Sequence, residues 1–317
     1  MSGLFSLTDA SAPDIAVEIA ASRISAAAVE RRGTQTVVSA HAVELLPEGA
    51  LAPSLTAVNT RDRASVMTAL NRVLERVGRP RRIGLVVPDI VAKVSLVRFE
   101  KVPTKAADLD QLVRWQVRKA APFPLEEAQI SYVRGLQAPD GQEFIVSLAR
   151  RSVIEEYEGL CAEAGAYAGL VDLATINVIN GVLATSAPGS GDWLLVNVAG
   201  DAASIAILRG PHVIFFRNRA AETDGTLADL VHQTGMYYED RLKGGGFTRV
   251  ILSGASHSAD EIRRSLQNRL TAAVETIDPR QGVVLTDRIS ATPAFLETLT
   301  PLVGLLLRDQ GAQPVTA

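Results

Sequence analysis

Arg114-Trp115-Gln116-Val117-Arg118-Lys119-Ala120-Ala121-Pro122-Phe123-Pro124-Leu125 is an amphipathic helix running into a Pro-Phe-Pro stop. Upstream, Thr104 stands where a cap is needed, and Asp108 falls in the first turn, where a carboxylate meets the positive end of the helix dipole. Leu109, Leu112, Val113, Gln116, Val117 and Ala120 recur at helical spacing and predict one apolar stripe facing a core. At about 100° per residue Trp115 falls off that stripe, among Asp110, Gln111, Arg114 and Arg118, so either another part of the chain or a partner covers the indole. Pro122 lacks an amide donor and clashes with the preceding turn, so the helix ends by Ala121. Phe123 is then held extended between two prolines, either as an aromatic plug at a helix stop or as a contact for a partner.

Outward from this stretch, 317 residues with 47% apolar and 21% charged side chains are enough for two domains with cores of their own. A net charge of -3 and a pI near 5.9 give no global electrostatic case for nucleic acid. Seven arginines between Arg61 and Arg82 stand against Asp62 and Glu75, which reads as a solvated helix face rather than a contact for acidic lipid or an acidic partner. Cys161 is the single cysteine, so no disulfide framework exists, as expected in a reducing cytosol. Residues 1–13 read as a flexible tail without a signal peptide, and 309–317 as a frayed polar tail. The apolar run Leu302–Leu307 is far short of the roughly 20 residues of a membrane span.

Taken in order, the chain restarts halfway. Ile15–Ala20, Arg23–Glu30 and Thr34–Val43 read as a three-stranded meander, followed by a helix from Arg61 to Val77 and strands at Ile83–Val87 and Val91–Phe99. After the Pro-Phe-Pro stop, Gln129–Leu136 and Glu143–Ala149 form a hairpin over Pro139-Asp140-Gly141, with a helix Ser152–Gly165, a strand Tyr167–Asp172 and a short apolar helix Thr175–Leu183 beyond. The Ser-Ala-Pro-Gly-Ser-Gly segment within 185–191 predicts a linker between a first domain, 14–184, and a second, 192–308, with a small insert at about 100–150. Beyond it Trp193–Val198, Ala203–Leu208 and Val213–Arg217 make a second meander, followed by helix Thr226–Leu242, strand Arg249–Leu252, helix Asp260–Leu270 and a last helix Pro293–Arg308.

A meander, a helix, a strand and a further helix, occurring twice, is the order of the duplicated ribonuclease-H-like domains of the actin-like α/β fold. The chain resembles the PilM family of type IV pilus assembly proteins and, more distantly, the cytoplasmic part of the type II secretion protein GspL. The residues that carry this are Arg114-Trp115-Gln116 through Pro122-Phe123-Pro124-Leu125-Glu126, Leu170-Val171-Asp172-Leu173, the Arg249-to-Gly254 strand and turn, and Gly304-Leu305-Leu306-Leu307-Arg308. The first block is the most specific.

The resemblance implies a nucleotide cleft in which each meander's first hairpin holds phosphates with backbone N–H groups and a carboxylate at the end of each first strand holds hydrated magnesium. In the first hairpin, Val17 to Ser22, Glu18 stands where the family has aspartate, and Ala20 and Ser22 stand in a turn without glycine. In the second, Asn197 replaces the acid ahead of Gly200 and Asp201, and Ser253-Gly254-Ala255-Ser256 has one glycine where the family has pairs. These seven residues are either a vestigial site for ATP with magnesium or ordinary turn residues, and the losses favour the second. Asp172, before a helix, reads as a cap. His41, His212, His232 and His257 lack metal-site spacing, and Lys243-Gly244-Gly245-Gly246 follows a helix instead of opening one, so it reads as a helix stop.

What the resemblance implies for function is a cytoplasmic scaffold, tied to the inner membrane by gripping the N-terminal peptide of a membrane-spanning, PilN-like partner. The groove would involve the Thr104-to-Phe123 helix and the Gln129-to-Ala149 hairpin, with Trp115 and Phe123 as candidate contacts. A working ATPase or kinase, a polymerising homo-oligomer and the equivalent piece of a type II secretion platform are the opposing expectations.

Overall fold

The computed structural model describes residues 12–185, 191–200, 202–220, 226–254, 259–267, 270, 272–286 and 289–308. Residues 1–11 and 309–317 of the expected tails, most of the 185–191 linker, Asp201 and the Ala255-Ser256 part of the third turn lie outside them. The first meander is β1 (Ile15–Ile19), β2 (Arg23–Arg32) and β3 (Gln35–Leu45), followed by α1 (Arg63–Arg76), capped by the Asp62 carboxylate, and β4 (Arg82–Val87). An insert of β5 (Ala92–Phe99), α2 (Ala106–Val117), β6 (Ala128–Ala138) and β7 (Gly141–Arg150) leads to α3 (Arg151–Glu163), β8 (Tyr167–Leu173) and α4 (Ala174–Thr185). The second repeat is β9 (Asp192–Ala199), β10 (Ala202–Arg209), β11 (His212–Ala220), α5 (Leu227–Leu242), β12 (Arg249–Ser253), α6 (Ala259–Gln267), β13 (Val274–Thr276), β14 (Val284–Leu285) and α7 (Pro293–Leu306).

Strand order shows the duplication. One sheet runs β14-β3-β2-β1-β4-β8 and the other β11-β10-β9-β12-β13, so β3-β2-β1-β4-β8 and β11-β10-β9-β12-β13 are the same plan. In both, the meander is antiparallel and the following strands are parallel to its first strand. The chain has the actin-like fold. β13 and β14, of three and two residues, are too short to show a period in the sequence.

Successive strand residues point to opposite faces, and this fixes the layers. Val17 and Ile19 of β1 pack with Val66, Leu70 and Val73 of α1 and with Ile154 and Leu160 of α3, whereas Ala16 packs with Leu302 and Leu305 of α7. In β9, Leu194 and Val196 pack with Leu230 and Val231 of α5, while Trp193 and Leu195 pack with Val178 and Val182 of α4. The inner helices thus lie crosswise: α7, late in the chain, covers the first sheet, and α4 covers the second. They cross where both lack side chains. A Cβ on Gly304 would overlap the Asn177 carbonyl oxygen, and one on Gly181 would stand 3.6 Å from the Gly304 Cα. Among the described residues no helix is long and apolar enough to cross a membrane.

The insert is its own small unit. Its sheet, β5-β7-β6, is antiparallel. Phe144, Val146 and Leu148 of β7 face Val113 and Val117 of α2, and Phe123 packs, half-buried, against the same cluster, so it is the plug of the helix stop. The helix starts at Ala106 after Lys105 with no side-chain cap, so Thr104 does not have the capping role expected of it. Gln116, expected on the apolar stripe, is exposed. The helix ends at Val117, and one 3-10 turn, Arg118–Ala120, leads into the prolines. Downstream of α5, Lys243 takes a left-handed φ of 55° and the glycine run stops the helix, as read.

Candidate functional site: the cleft and the insert cavity

Between the two sheets lies a cleft of about 640 Å³ whose walls include Ser22, Arg23, His41, Gly200, Gly254 and Thr298. The structure therefore brings Ser22, Gly200 and Gly254 together from three separate turns. Gly200 has a φ of 58° in the β9–β10 turn. Gly254, at φ 79°, has a different cause: a Cβ there would overlap the Val198 carbonyl oxygen, so the glycine is needed for the close approach of the end of β12 to β9. Ala20 sits in the first turn, donating its N–H to the Arg23 carbonyl at 2.9 Å.

Glu18 and Asn197 occupy equivalent places, on the inner side near the ends of β1 and β9, and both are buried. Each is committed to a neighbour. Glu18 Oε2 accepts from Arg23 Nη2 at 3.1 Å and Ser25 Oγ at 3.0 Å. Asn197 Nδ2 donates to Thr175 Oγ1 at 2.9 Å. No group of three or more His, Cys, Asp or Glu side chains comes together in a metal-holding arrangement among the described residues.

The centre of the inter-sheet network is a residue that the sequence shows only as a break, Asp89. Its Oδ1 accepts the Thr175 N–H at 2.9 Å, and its Oδ2 accepts the Ser204 hydroxyl at 2.7 Å and the Thr175 hydroxyl. Asn218 Nδ2 donates to its backbone carbonyl at 2.8 Å. One residue beyond β4 thus joins α4 and β10 through its carboxylate and β11 through its backbone carbonyl, and the carboxylate satisfies a first-turn amide of α4 from a distance of 86 residues in sequence. Burial raises its pKa; the hydrogen bonds from Thr175 and Ser204 oppose this, and the charge of Glu18 adds to it. No local pattern marks such a long-range cap.

Asp172, expected to cap that helix, bonds no backbone amide of it among the described residues. Its Oδ1 accepts the N–H of its own neighbour Leu173 at 2.8 Å, and its Oδ2 has no hydrogen bond among the described residues. Burial pushes it up to about 6, with the Arg308 guanidinium pulling the other way. His41 is held neutral: burial, with Arg23 nearby, lowers it to about 4, and its ring meets Phe295 edge-on at 4.5 Å.

A second cavity, about 50 Å³, lies under the insert, where Ile145 and Ser147 of β7 face Val171 and Asp172 of β8 and Ile176 of α4. Alternation puts it on the face of the insert sheet opposite to α2. The hairpin half of the expected groove therefore borders this cavity, and the helix half does not. Trp115 stands on the outer side of α2, 69% exposed, and lines neither cavity.

Comparison with known proteins follows this geometry. The family profile for the type IV pilus assembly protein PilM matches residues 16–244. A chain of a PilM-PilN type IV pilus biogenesis complex superposes with a TM-score of 0.77 at 16% identity, over 95% of this chain and 98% of that one. A Bacteroides thetaiotaomicron protein of unknown function with an actin-like ATPase fold superposes at 0.52 and 9% identity, over 96% and 99%. Because the profile spans well over half of the 317 residues and the fold agrees from end to end, the chain belongs to the PilM family of type IV pilus assembly proteins.

Proposed function

We propose that this protein is a cytoplasmic actin-like scaffold of a type IV pilus machine. It holds the cytoplasmic N-terminal peptide of a membrane-spanning, PilN-like partner and is tied to the inner membrane through it. Its cleft is degenerate as a magnesium-nucleotide site. The observation that carries this is the engagement of the cleft's polar groups: Glu18 is neutralised by Arg23 and Asn197 brings no charge, so neither fits a hydrated magnesium ion. Such a cleft leaves no cofactor to drive the scaffold. Arg23 and Ser25 instead hold Glu18 within the first repeat, and Thr175, bonded to Asn197 and Asp89, joins the first repeat to the second.

The peptide site rests on the insert. An extended peptide gains main-chain pairing at a sheet and pockets for alternate side chains, and the inner face of the β6–β7 hairpin, with Ile145 and Ser147 over a small apolar cavity, offers the pockets. Anisotropy titration of a labelled N-terminal PilN-like peptide tests it. Binding to the wild type and its loss in Ser147→Trp, with melting temperature retained, is expected; undiminished binding to that variant moves the site elsewhere.

A nucleotide-binding reading has one observation in its favour, the 640 Å³ cleft lined by Gly200 and Gly254. The melt in magnesium and ATP described below decides it.

A further inference from the structure

The outer face of α2 carries Trp115, which is exposed and lines neither cavity. Its indole is left in water, although burying a tryptophan removes on the order of 200 Å² from solvent. Around Trp115 the surface is cationic. Arg118 and Lys119 follow one turn later, exposed, and Lys101 and Lys105 precede the helix, also exposed. From Lys101 to Ala121 there are five basic residues against Asp108 and Asp110, in a chain whose net charge is -3. Asp110 is itself paired with Arg114 at 2.7 Å.

An exposed indole with arginine and lysine one turn away is the chemistry of a bilayer interface. The ring settles at headgroup level, the aliphatic stems of the cations lie along it, and their charges meet acidic headgroups. A protein partner would need a pocket for the indole to gain much from it, and Trp115 stands on the outward side of a helix whose other side is buried on the insert sheet.

We propose that the outer face of α2 rests on an anionic bilayer surface, with Trp115 at the headgroups and Lys105, Arg118 and Lys119 over acidic lipids. The proposal rests on the partner-peptide function for proximity: a peptide that continues into a membrane span holds the insert close to the bilayer, so a weak contact is enough. The contact itself needs no partner.

The chain supplies its own reporter. It has two tryptophans, and Trp193 is buried, so an emission shift on adding vesicles reports Trp115. The full chain is mixed with vesicles of phosphatidylcholine alone or of phosphatidylcholine with phosphatidylglycerol. Expected are a blue shift and co-sedimentation with the anionic vesicles only, reversed near 1 M salt, where the screening length falls to about 3 Å. The double variant Arg118→Glu, Lys119→Glu should lower partitioning about tenfold or more, with melting temperature and peptide binding retained. No partitioning, equal partitioning into both lipids, or an emission shift only on adding an acidic protein overturns the proposal. Loss of peptide binding with vesicle binding intact overturns the peptide site alone.

Discussion

The Arg23 guanidinium lies 3.1 Å from Glu18 Oε2, so the carboxylate at the end of the first strand meets a fixed cation. Arg23 lines the cleft and Glu18 lies behind it, 5% exposed. A divalent ion would have to displace this partly buried guanidinium to reach the acid.

Millimolar ATP with magnesium should accordingly leave the melting temperature unchanged. Ligand binding stabilises by RT ln(1 + [L]/Kd), so a tight site would show a rise of several degrees. A rise of that size that vanishes when the magnesium is chelated would mean that Glu18 or Asp201 does hold the ion.

Gly304→Ala should cost about 3 kcal/mol in urea unfolding, because the added methyl group overlaps the Asn177 carbonyl where α4 and α7 cross. A cost below about 0.5 kcal/mol would mean that the two helices are free to separate.

Asp172 and the half-buried His41 should make stability depend on pH with opposite signs. Asp172 is raised from 3.8 to about 6, so its contribution is fully present below about pH 4 and is lost as pH rises through 6. His41 is lowered from 6.5 to about 4, so its contribution is present above 6.5 and is lost as pH falls toward 4. Subtracting the unfolding curve of Asp172→Asn from that of the wild type isolates the first: the difference should fall by about 1–3 kcal/mol between pH 4 and pH 7. A flat difference would place Asp172 in water or in a stronger ion pair with Arg308.

Trp115→Ala should change stability by less than about 0.5 kcal/mol, whereas Val113→Ala, two residues away and fully buried, should cost about 2 kcal/mol. Equal losses for the two would make the indole part of the insert's core.

Most of the architecture was legible because the repeats speak locally. The short apolar runs of β1 and β9 and the helical stripes of α1 and α5 mark both meanders and their helices, and the prolines around Phe123 mark the stop. The two shortest strands and the start of α2 were not legible, since a two-residue strand has no period and Lys105 gives no capping signal. For the site, the sequence singles out Ser22, Gly200 and Gly254 and the structure gathers them at one cleft. Asp89 and Arg23 escaped, because nothing in Pro88-Asp89 or in the start of β2 announces partners on other elements.

The sequence by itself determined the duplicated fold, the insert and the family, since these follow from periodicity, turn residues and one dense motif within single segments. Only the tertiary structure decided what the polar residues do. Glu18 is tied to Arg23, Asp89 joins α4 to the second sheet across 86 and 115 residues of chain, and Phe123 packs half-buried on the insert core while Trp115 stands exposed. Charge pairing and burial depend on which elements meet in space, and that information is spread over the whole chain instead of lying in any one stretch.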